Sequence, residues 1–310
     1  MSDARNKSAP ILIAGPTASG KSALALAIAE HVGGVIINAD SMQVYRELSI
    51  LTARPQSDEE ARVPHMLYGF VPAAEAYSTG RFIADVTDAI AKAREAGRRP
   101  VIVGGTGLYF KALLEGLSPI PRIDSEIREH WRAEAERRGA AELHRELMVR
   151  DAQMAERLAP ADTQRIVRAL EVLEQTGRSL ADWQKVRGVP VVREAEAVRL
   201  LVTLDRAELH ARADARFDRM IAVGAVEEVR ALAALGLDPD MPAMRAIGVR
   251  PLLSVVKGES ALGAAAEAAK AETRQYIKRQ ETWHRRYMIS WRRVTKQYME
   301  SQTRDIFAFI

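Results

Sequence analysis

Residues Ile11 to Ser22 read I-L-I-A-G-P-T-A-S-G-K-S, and an alanine- and leucine-rich run, Ala23 to Glu30, follows at once. Four apolar residues predict a short buried strand, and the run after Ser22 predicts a helix. Between them, Gly15-x-x-x-x-Gly20-Lys21-Ser22 is the phosphate-binding loop pattern in the strand-to-helix setting that gives it meaning. Gly15 and Gly20 let the backbone curl so that successive N–H groups point into one concavity, at the positive end of the helix dipole. Thr17, Ala18 and Ser19 complete the cradle. Lys21 adds a point charge, and the Ser22 hydroxyl is a ligand for Mg²⁺ shared with bound phosphates. A ligand carrying a phosphate or diphosphate is expected here.

Working outward, Gly33-Gly34 ends the helix, and Val35-Ile36-Ile37 is a second strand stopping at Asn38-Ala39-Asp40-Ser41. Phe82 to Glu95 has helical spacing, Val101-Ile102-Val103 is a third strand ending in Gly104-Gly105-Thr106-Gly107, and Leu108 to Leu114 looks helical. Strands that end in glycine or polar residues, each beside a helix, predict an α/β fold: a P-loop-type, doubly wound parallel sheet with ligands at the strands' carboxyl ends. From Pro119 the texture changes. Ser125 to Gln184 reads as almost continuous helix rich in mixed Arg and Glu, with no strand pattern, so an all-helical insertion domain is expected over residues 120–196. Val198 to Leu204 returns to strand character, Asp205 to Leu235 reads as helix with Gly224 inside it, and Ala261 to Met288 as long helical stretches. The core is therefore expected over residues 1–119 and 197–310.

Composition narrows the class. The chain has 310 residues, 47% hydrophobic and 28% charged, which is ordinary for a globular protein. Zero cysteines remove disulfides, thiolate metal sites and cysteine nucleophiles together. The first apolar run breaks at Gly15, too early for a signal peptide or membrane span, so a cytoplasmic protein with no membrane partner is expected. A net charge of +4 matters only where the charges cluster. They cluster in Arg274 to Lys296, where eight basic residues face one acidic residue, Glu281, with Tyr276, Trp283, Tyr287 and Trp291 interleaved. Arginines and lysines with rings between them suit a nucleic-acid backbone, although some of the rings could equally be core.

Asp40 ends the second strand and so leaves the sheet at the same edge as Lys21. Spacing alone leaves a turn or cap aspartate equally open. The run Asp40-Ser41-Met42-Gln43-Val44-Tyr45-Arg46 adds the groups that read a nucleobase edge and stack on its face. Thr106, among three glycines, suits either a close ligand approach or a tight turn. Arg165 and Arg168 share a helix face; they could clamp phosphates or pair with Asp162 and Glu171, and spacing alone favours the solvated face. No other clear strand ends in an apolar run and an aspartate, so ordinary NTP hydrolysis lacks its metal-binding carboxylate.

These residues, in order, closely resemble the bacterial tRNA dimethylallyltransferase (tRNA isopentenyltransferase) family. The matching blocks are Gly15 to Ser22, Asp40-Ser41 with Gln43 and Tyr45-Arg46, Thr52 to Pro55, Pro64-His65, Val103 to Tyr109, Gln164 to Glu171, Arg216 with Met220, Glu227 to Val229, Ala246 to Gly248, and Thr273 to Gln280 with Thr282-Trp283. Ser22 stands where the family commonly has Thr, Leu51 and Arg54 replace a usual Gly and Lys, and Val249 replaces a usual Tyr.

The resemblance implies transfer of a dimethylallyl group from dimethylallyl diphosphate to the exocyclic amine of the adenosine 3′ to a tRNA anticodon, with Mg²⁺. It makes the phosphate loop a holder for an isoprenoid diphosphate. Asp40 becomes the acceptor of the amine proton. Lys21, Ser22 with the metal, and Arg216 by family position stabilise the leaving diphosphate, with Thr17 and Thr106 as further donors. Asp40, Ser41, Gln43 and Thr106 would hold the extruded base, and Gln164, Arg165, Arg168, Arg245, Arg274, Lys278, Arg279 and Trp283 would contact the anticodon stem-loop. A monomer is expected. The rival classes are a P-loop kinase of a nucleoside or small metabolite and a non-enzymatic RNA-binding protein.

Overall fold

The computed structural model describes residues 9–295, 306, 307 and 310; Lys296, the last member of the basic cluster, lies outside them. Six parallel strands form one sheet in the order β3-β2-β4-β1-β5-β6. They are β1 (Ile11–Ala14), β2 (Gly34–Asn38), β3 (His65–Met66), β4 (Arg99–Gly104), β5 (Val198–Val202) and β6 (Arg292–Val294). Both faces are covered, as the unbroken apolar runs require. Leu12, Ile37, Ile102 and Leu201 point to one core, while Ile11, Ile13, Val101, Val103 and Leu200 point to the other. Complete burial of such a side chain stabilises by roughly 1.5–3 kcal/mol, so the strand trio Ile11-Leu12-Ile13, at 0% exposure, anchors the fold from both sides.

The helices that matter for the site are α1 (Lys21–Val32), α2 (Thr79–Glu95), α3 (Gly107–Glu115), α4 (Arg206–Ala222), α5 (Ala225–Ala233), α6 (Val249–Val256) and α7 (Leu262–Tyr287). The stretch read as one helix from Asp205 to Leu235 is in fact two, because Gly224 adopts φ 110° and caps α5. That left-handed geometry suits glycine and interrupts the hydrogen-bond ladder. Two strands escaped the sequence reading: β3 has two residues, and β6 falls inside the basic cluster. Each is too short to show a period of two and exists through its pairing with β2 or β5.

The chain divides into two compact units, one of the described residues in Met1–Leu114 and Val191–Ile310, the other Glu115–Pro190. The cuts fall a few residues before the boundaries read from the sequence. The second unit has its own core around Trp131, Leu143, Leu147, Ile166 and Leu170. Its helices are not continuous as expected. They run Ser125–Arg138, Ala140–Arg150, Ala152–Ala155, Thr163–Thr176 and Leu180–Trp183, separated at Gly139, at Asp151, across Glu156–Asp162 and at Gly177. Glycine and cap residues end these helices where composition alone suggests none should end. Among the described residues no helix is long and apolar enough to cross a membrane.

Candidate active site

Register brings three loops to one edge of the first unit's sheet. Ala14 pairs with Gly104 and Asn38 with Val103, so β1, β4 and β2 end level. The phosphate loop, Asp40 and Thr106 therefore emerge together. Gly104 is required for this: a Cβ there would lie 2.0 Å from the Ala39 carbonyl oxygen, the backbone of the Asp40 turn.

The phosphate loop folds as its glycines dictate. Gly20 takes φ 87° as the residue before α1, and Ala18 accepts φ 62°, a left-handed geometry that costs a residue with a Cβ some free energy and is common at ligand sites. Ser19 is fully buried inside the curl with its hydroxyl unpartnered. Lys21 Nζ donates back to the Pro16 carbonyl at 3.3 Å, and Ser22 lies exposed at the start of α1. From α4, Arg216 donates to the Thr17 hydroxyl. From α7, the Gln280 amide oxygen accepts the Thr17 N–H at 2.9 Å while its nitrogen donates to the Gly105 carbonyl at 2.9 Å.

Asp40 is held by a local lattice. Its N–H donates to Asn38 Oδ1 at 2.8 Å, and its Oδ1 accepts the Met42 N–H at 2.9 Å. That Asx turn fixes one carboxylate oxygen and leaves Oδ2 beside Gly105, where a Cβ would come within 3.3 Å of it. Thr106 Oγ1 accepts the Ser41 N–H at 3.0 Å and donates to the Ser41 hydroxyl at 3.3 Å. Its place is thus to tie β4 to the Asp40 turn. Gln43 is committed to the protein as well: its amide nitrogen donates to the carbonyls of Thr52 and Ala53, both at 2.9 Å.

Of these groups, Thr17, Asp40, Ser41 and Arg216 line a cavity of about 260 Å³. Leu51, Phe217, Met220 and Ile247 give that lining its apolar surface, and Arg245, Arg279 and Tyr276 also belong to it. A pocket that combines a phosphate-loop residue and an arginine with apolar side chains suits an amphipathic ligand with a phosphorylated head.

Electrostatics point the same way. Burial pulls the Lys21 ammonium down to about 8, with Asp40 opposing the shift and Arg216 adding to it. Burial also draws the Arg216 guanidinium below its usual range, again opposed by Asp40. One carboxylate faces two desolvated cations, so the site is short of negative charge, and an anion would relieve it. The deprotonation of Lys21 gives a pH test. In the free protein its charge is present below about pH 8 and lost above it, whereas a bound diphosphate favours the charged form. The kcat/KM for a diphosphate donor is therefore expected to be level up to about pH 8 and to fall up to tenfold per pH unit beyond. Lys21→Arg should remove the inflection, and a flat wild-type profile to about pH 10 would contradict the assignment.

An IPP transferase family model matches residues 43–287, and an isopentenyl transferase model matches residues 9–67. The chain is 54% identical over 285 residues to the tRNA dimethylallyltransferase of Mesorhizobium japonicum, covering 92% of this chain and 88% of that one. It is 51% identical over 300 residues to that of Parvibaculum lavamentivorans, covering 97% and 95%. This chain belongs to the tRNA dimethylallyltransferase family. Among solved structures, the full-length tRNA isopentenylpyrophosphate transferase of Bacillus halodurans aligns with a TM-score of 0.69 at 31% identity, covering 97% and 95% of the two chains. A eukaryotic dimethylallyltransferase acting on tRNA aligns with a TM-score of 0.80 at 26% identity, covering 96% and 77%.

The remaining residues that the family resemblance marked for tRNA behave in several ways. Arg245 and Arg279 line the cavity; Arg245 pairs with Asp240 at 2.8 Å, and the Arg279 guanidinium lies 5.5 Å from the Tyr276 ring centre. Arg274 pairs with Asp214 at 2.8 Å, while Lys278 is exposed. Trp283 rests against Gly107, where a Cβ would meet its ring at 2.2 Å. Of the other rings, Trp291 is buried, edge-on to Phe110 at 5.4 Å. In the second unit Gln164 and Arg165 are exposed, Arg165 pairs with Asp162 at 3.3 Å and Arg168 with Glu171 at 3.1 Å, the pairings left open by spacing. Val249, one departure from the family pattern, is core; Leu51, another, lines the cavity.

Two site residues, Glu228 and Gln280, were given no role in the sequence reading, and Tyr276 entered it only as a ring of the basic cluster. Glu228 on α5 accepts the N–H groups of Ser49 and Ile50 at 2.6 and 2.7 Å and that of Leu51 at 2.9 Å, fixing the loop that carries Leu51 and Thr52 into the cavity. Tyr276 lines the cavity, and burial, then Asp40, push its hydroxyl well above the usual phenol range. Gln280 interrupts the buried stripe Thr273, Ile277, Gln280, His284 of α7. A polar amide at an inward helical position is the signal that could have found it.

Among the described residues no group of three or more His, Cys, Asp or Glu could hold a metal ion. A single exposed hydroxyl, Ser22, beside an anion cradle fits Mg²⁺ of the kind whose other ligands are phosphate oxygens and water.

Proposed function

We propose that the protein transfers a dimethylallyl group from dimethylallyl diphosphate to the exocyclic amine of the adenosine 3′ to the anticodon of a tRNA, releasing diphosphate. The observation that carries this reading is a cavity lined together by Thr17 of the phosphate loop, the tethered Asp40 carboxylate, Arg216 and apolar side chains. The phosphate-loop amides, Lys21 and Arg216 hold the diphosphate, and the apolar residues shelter the five-carbon chain from water. The amine nitrogen forms its new bond to the allylic carbon as that carbon's bond to diphosphate oxygen breaks. Asp40 takes the amine proton, because a ring-delocalised lone pair is too weak a nucleophile to attack without losing it. Lys21 and Arg216 stabilise the charge gathering on the leaving oxygen. Bound Mg²⁺ would neutralise further charge there, held by Ser22 and the diphosphate. The target base must leave its stack to enter the cavity.

The tRNA names carried by the relatives favour this reading over a kinase, and the apolar side of the cavity agrees. The experiment is direct: label in the dimethylallyl group of the donor should move to tRNA. No transfer from that donor, with transfer of the γ-phosphate of ATP to a small acceptor, would overturn the reading. Arg279 gives a test of the RNA face. Its guanidinium is exposed at the cavity margin, so Arg279→Ala should weaken tRNA binding and reduce the slope of log affinity against log salt by about one. An unchanged slope would place Arg279 off the RNA.

A further inference from the structure

The donors of the phosphate loop divide into two sets. The N–H groups of Ala18, Gly20, Lys21 and Ser22 take no partner among the described residues, whereas that of Ser19 goes to the Pro16 carbonyl and that of Thr17 to Gln280. The Thr17 hydroxyl is also engaged, by Arg216. The loop is thus open at its helix end and closed at its Thr17 end. Closure is not loose. Gln280 is 5% exposed, and both ends of its amide are bonded at 2.9 Å, to Thr17 and to Gly105. Turning the amide away would strand a part-buried N–H and a buried carbonyl together. In the same wall as Thr17 stand Arg216, already bonded to the Thr17 hydroxyl, and Asp40, a carboxylate that repels further phosphoryl charge.

We propose that Gln280 determines donor specificity: by occupying the Thr17 N–H it closes the cradle to a third phosphoryl group, so the site accepts diphosphate esters and rejects nucleoside triphosphates. A phosphate loop open at both ends would be exposed to competition from every triphosphate present. Here the diphosphate takes the four free amides, Lys21 and Arg216, and a third phosphoryl group meets an amide already satisfied by Gln280 in a wall that also carries the Asp40 carboxylate. The inference rests on the diphosphate-donor reading above and adds the residue that enforces it.

The test compares inorganic pyrophosphate with inorganic tripolyphosphate, by calorimetric binding to the full chain at one Mg²⁺ concentration. The proteins are the wild type, Gln280→Met, which keeps bulk and removes the amide, and Gln280→Ala, which removes both. The wild type should prefer pyrophosphate by about tenfold or more, although tripolyphosphate carries more charge. Either variant that folds should reduce that preference to about threefold or less, mainly by binding tripolyphosphate better. Wild-type protein that binds tripolyphosphate as tightly as pyrophosphate would overturn the proposal, and so would a ratio unmoved in a folded variant. Dimethylallyl transfer to tRNA by the wild type, measured alongside, separates the two ideas. Transfer with an unmoved ratio removes only the role of Gln280, while absence of transfer removes the donor reading itself.

Discussion

Asp40→Asn is expected to lower kcat for dimethylallyl transfer on the order of 10² to 10⁴-fold while tRNA binding stays close to wild type. The substitution is nearly isosteric. Asparagine keeps an oxygen for the Met42 N–H, and the Asn38 bond to the residue 40 backbone is untouched, so the turn should hold. What disappears is the basic oxygen beside Gly105. Asp40→Ala should show a similar loss in kcat, with some loosening of the turn. The measurement is single-turnover transfer at saturating donor and tRNA, with tRNA affinity determined separately. A variant within about threefold of wild type in kcat would remove Asp40 as the proton acceptor.

Lys21→Ala is expected to cost on the order of 10² to 10³ in kcat/KM for the donor, the usual consequence of deleting one charged group that faces a developing anion. The fold should not suffer. Lys21 is disfavoured as a cation in the free protein because burial outweighs its attraction to Asp40, and its one hydrogen bond is to the Pro16 carbonyl. The variant is therefore expected to melt at or above the wild-type temperature while losing activity, as happens where a functional group is kept against stability. Unaltered turnover would contradict the placement of the diphosphate, and a large fall in melting temperature would show Lys21 to be structural.

What the sequence made legible follows from how local each feature is. The phosphate loop needs a strand, two glycines and a helix within twelve residues, and its geometry follows from them. Asp40 was visible because a parallel strand that ends level with its neighbours delivers the residues that follow it to the same edge; β2 stops at Asn38, opposite Val103, and Asp40 follows in the turn. Gln280 was not, because its meaning lies in a bond to a residue 263 positions away. Glu228 is the same kind of case, with partners 177 to 179 positions distant. A carboxylate on an amphipathic helix looks solvated until the loop it holds is seen. The basic cluster shows the opposite error of reading too much. Arg274 spends its charge on Asp214, Trp291 is core, and part of the segment is a strand. Composition gives the sum of the charges and not their partners.

The proposed function takes the phosphate loop as a seat for an isoprenoid diphosphate whose carbon chain is delivered to an extruded adenosine. The most direct test is mass analysis of nucleosides from unmodified tRNA incubated with the protein, Mg²⁺ and dimethylallyl diphosphate. The account predicts a dimethylallyl adenosine at the position 3′ to the anticodon, absent when Asp40→Asn replaces the wild type over the same interval. Unmodified adenosine at that position with active-conformation wild-type protein, or a dimethylallyl group on another nucleoside, would contradict it.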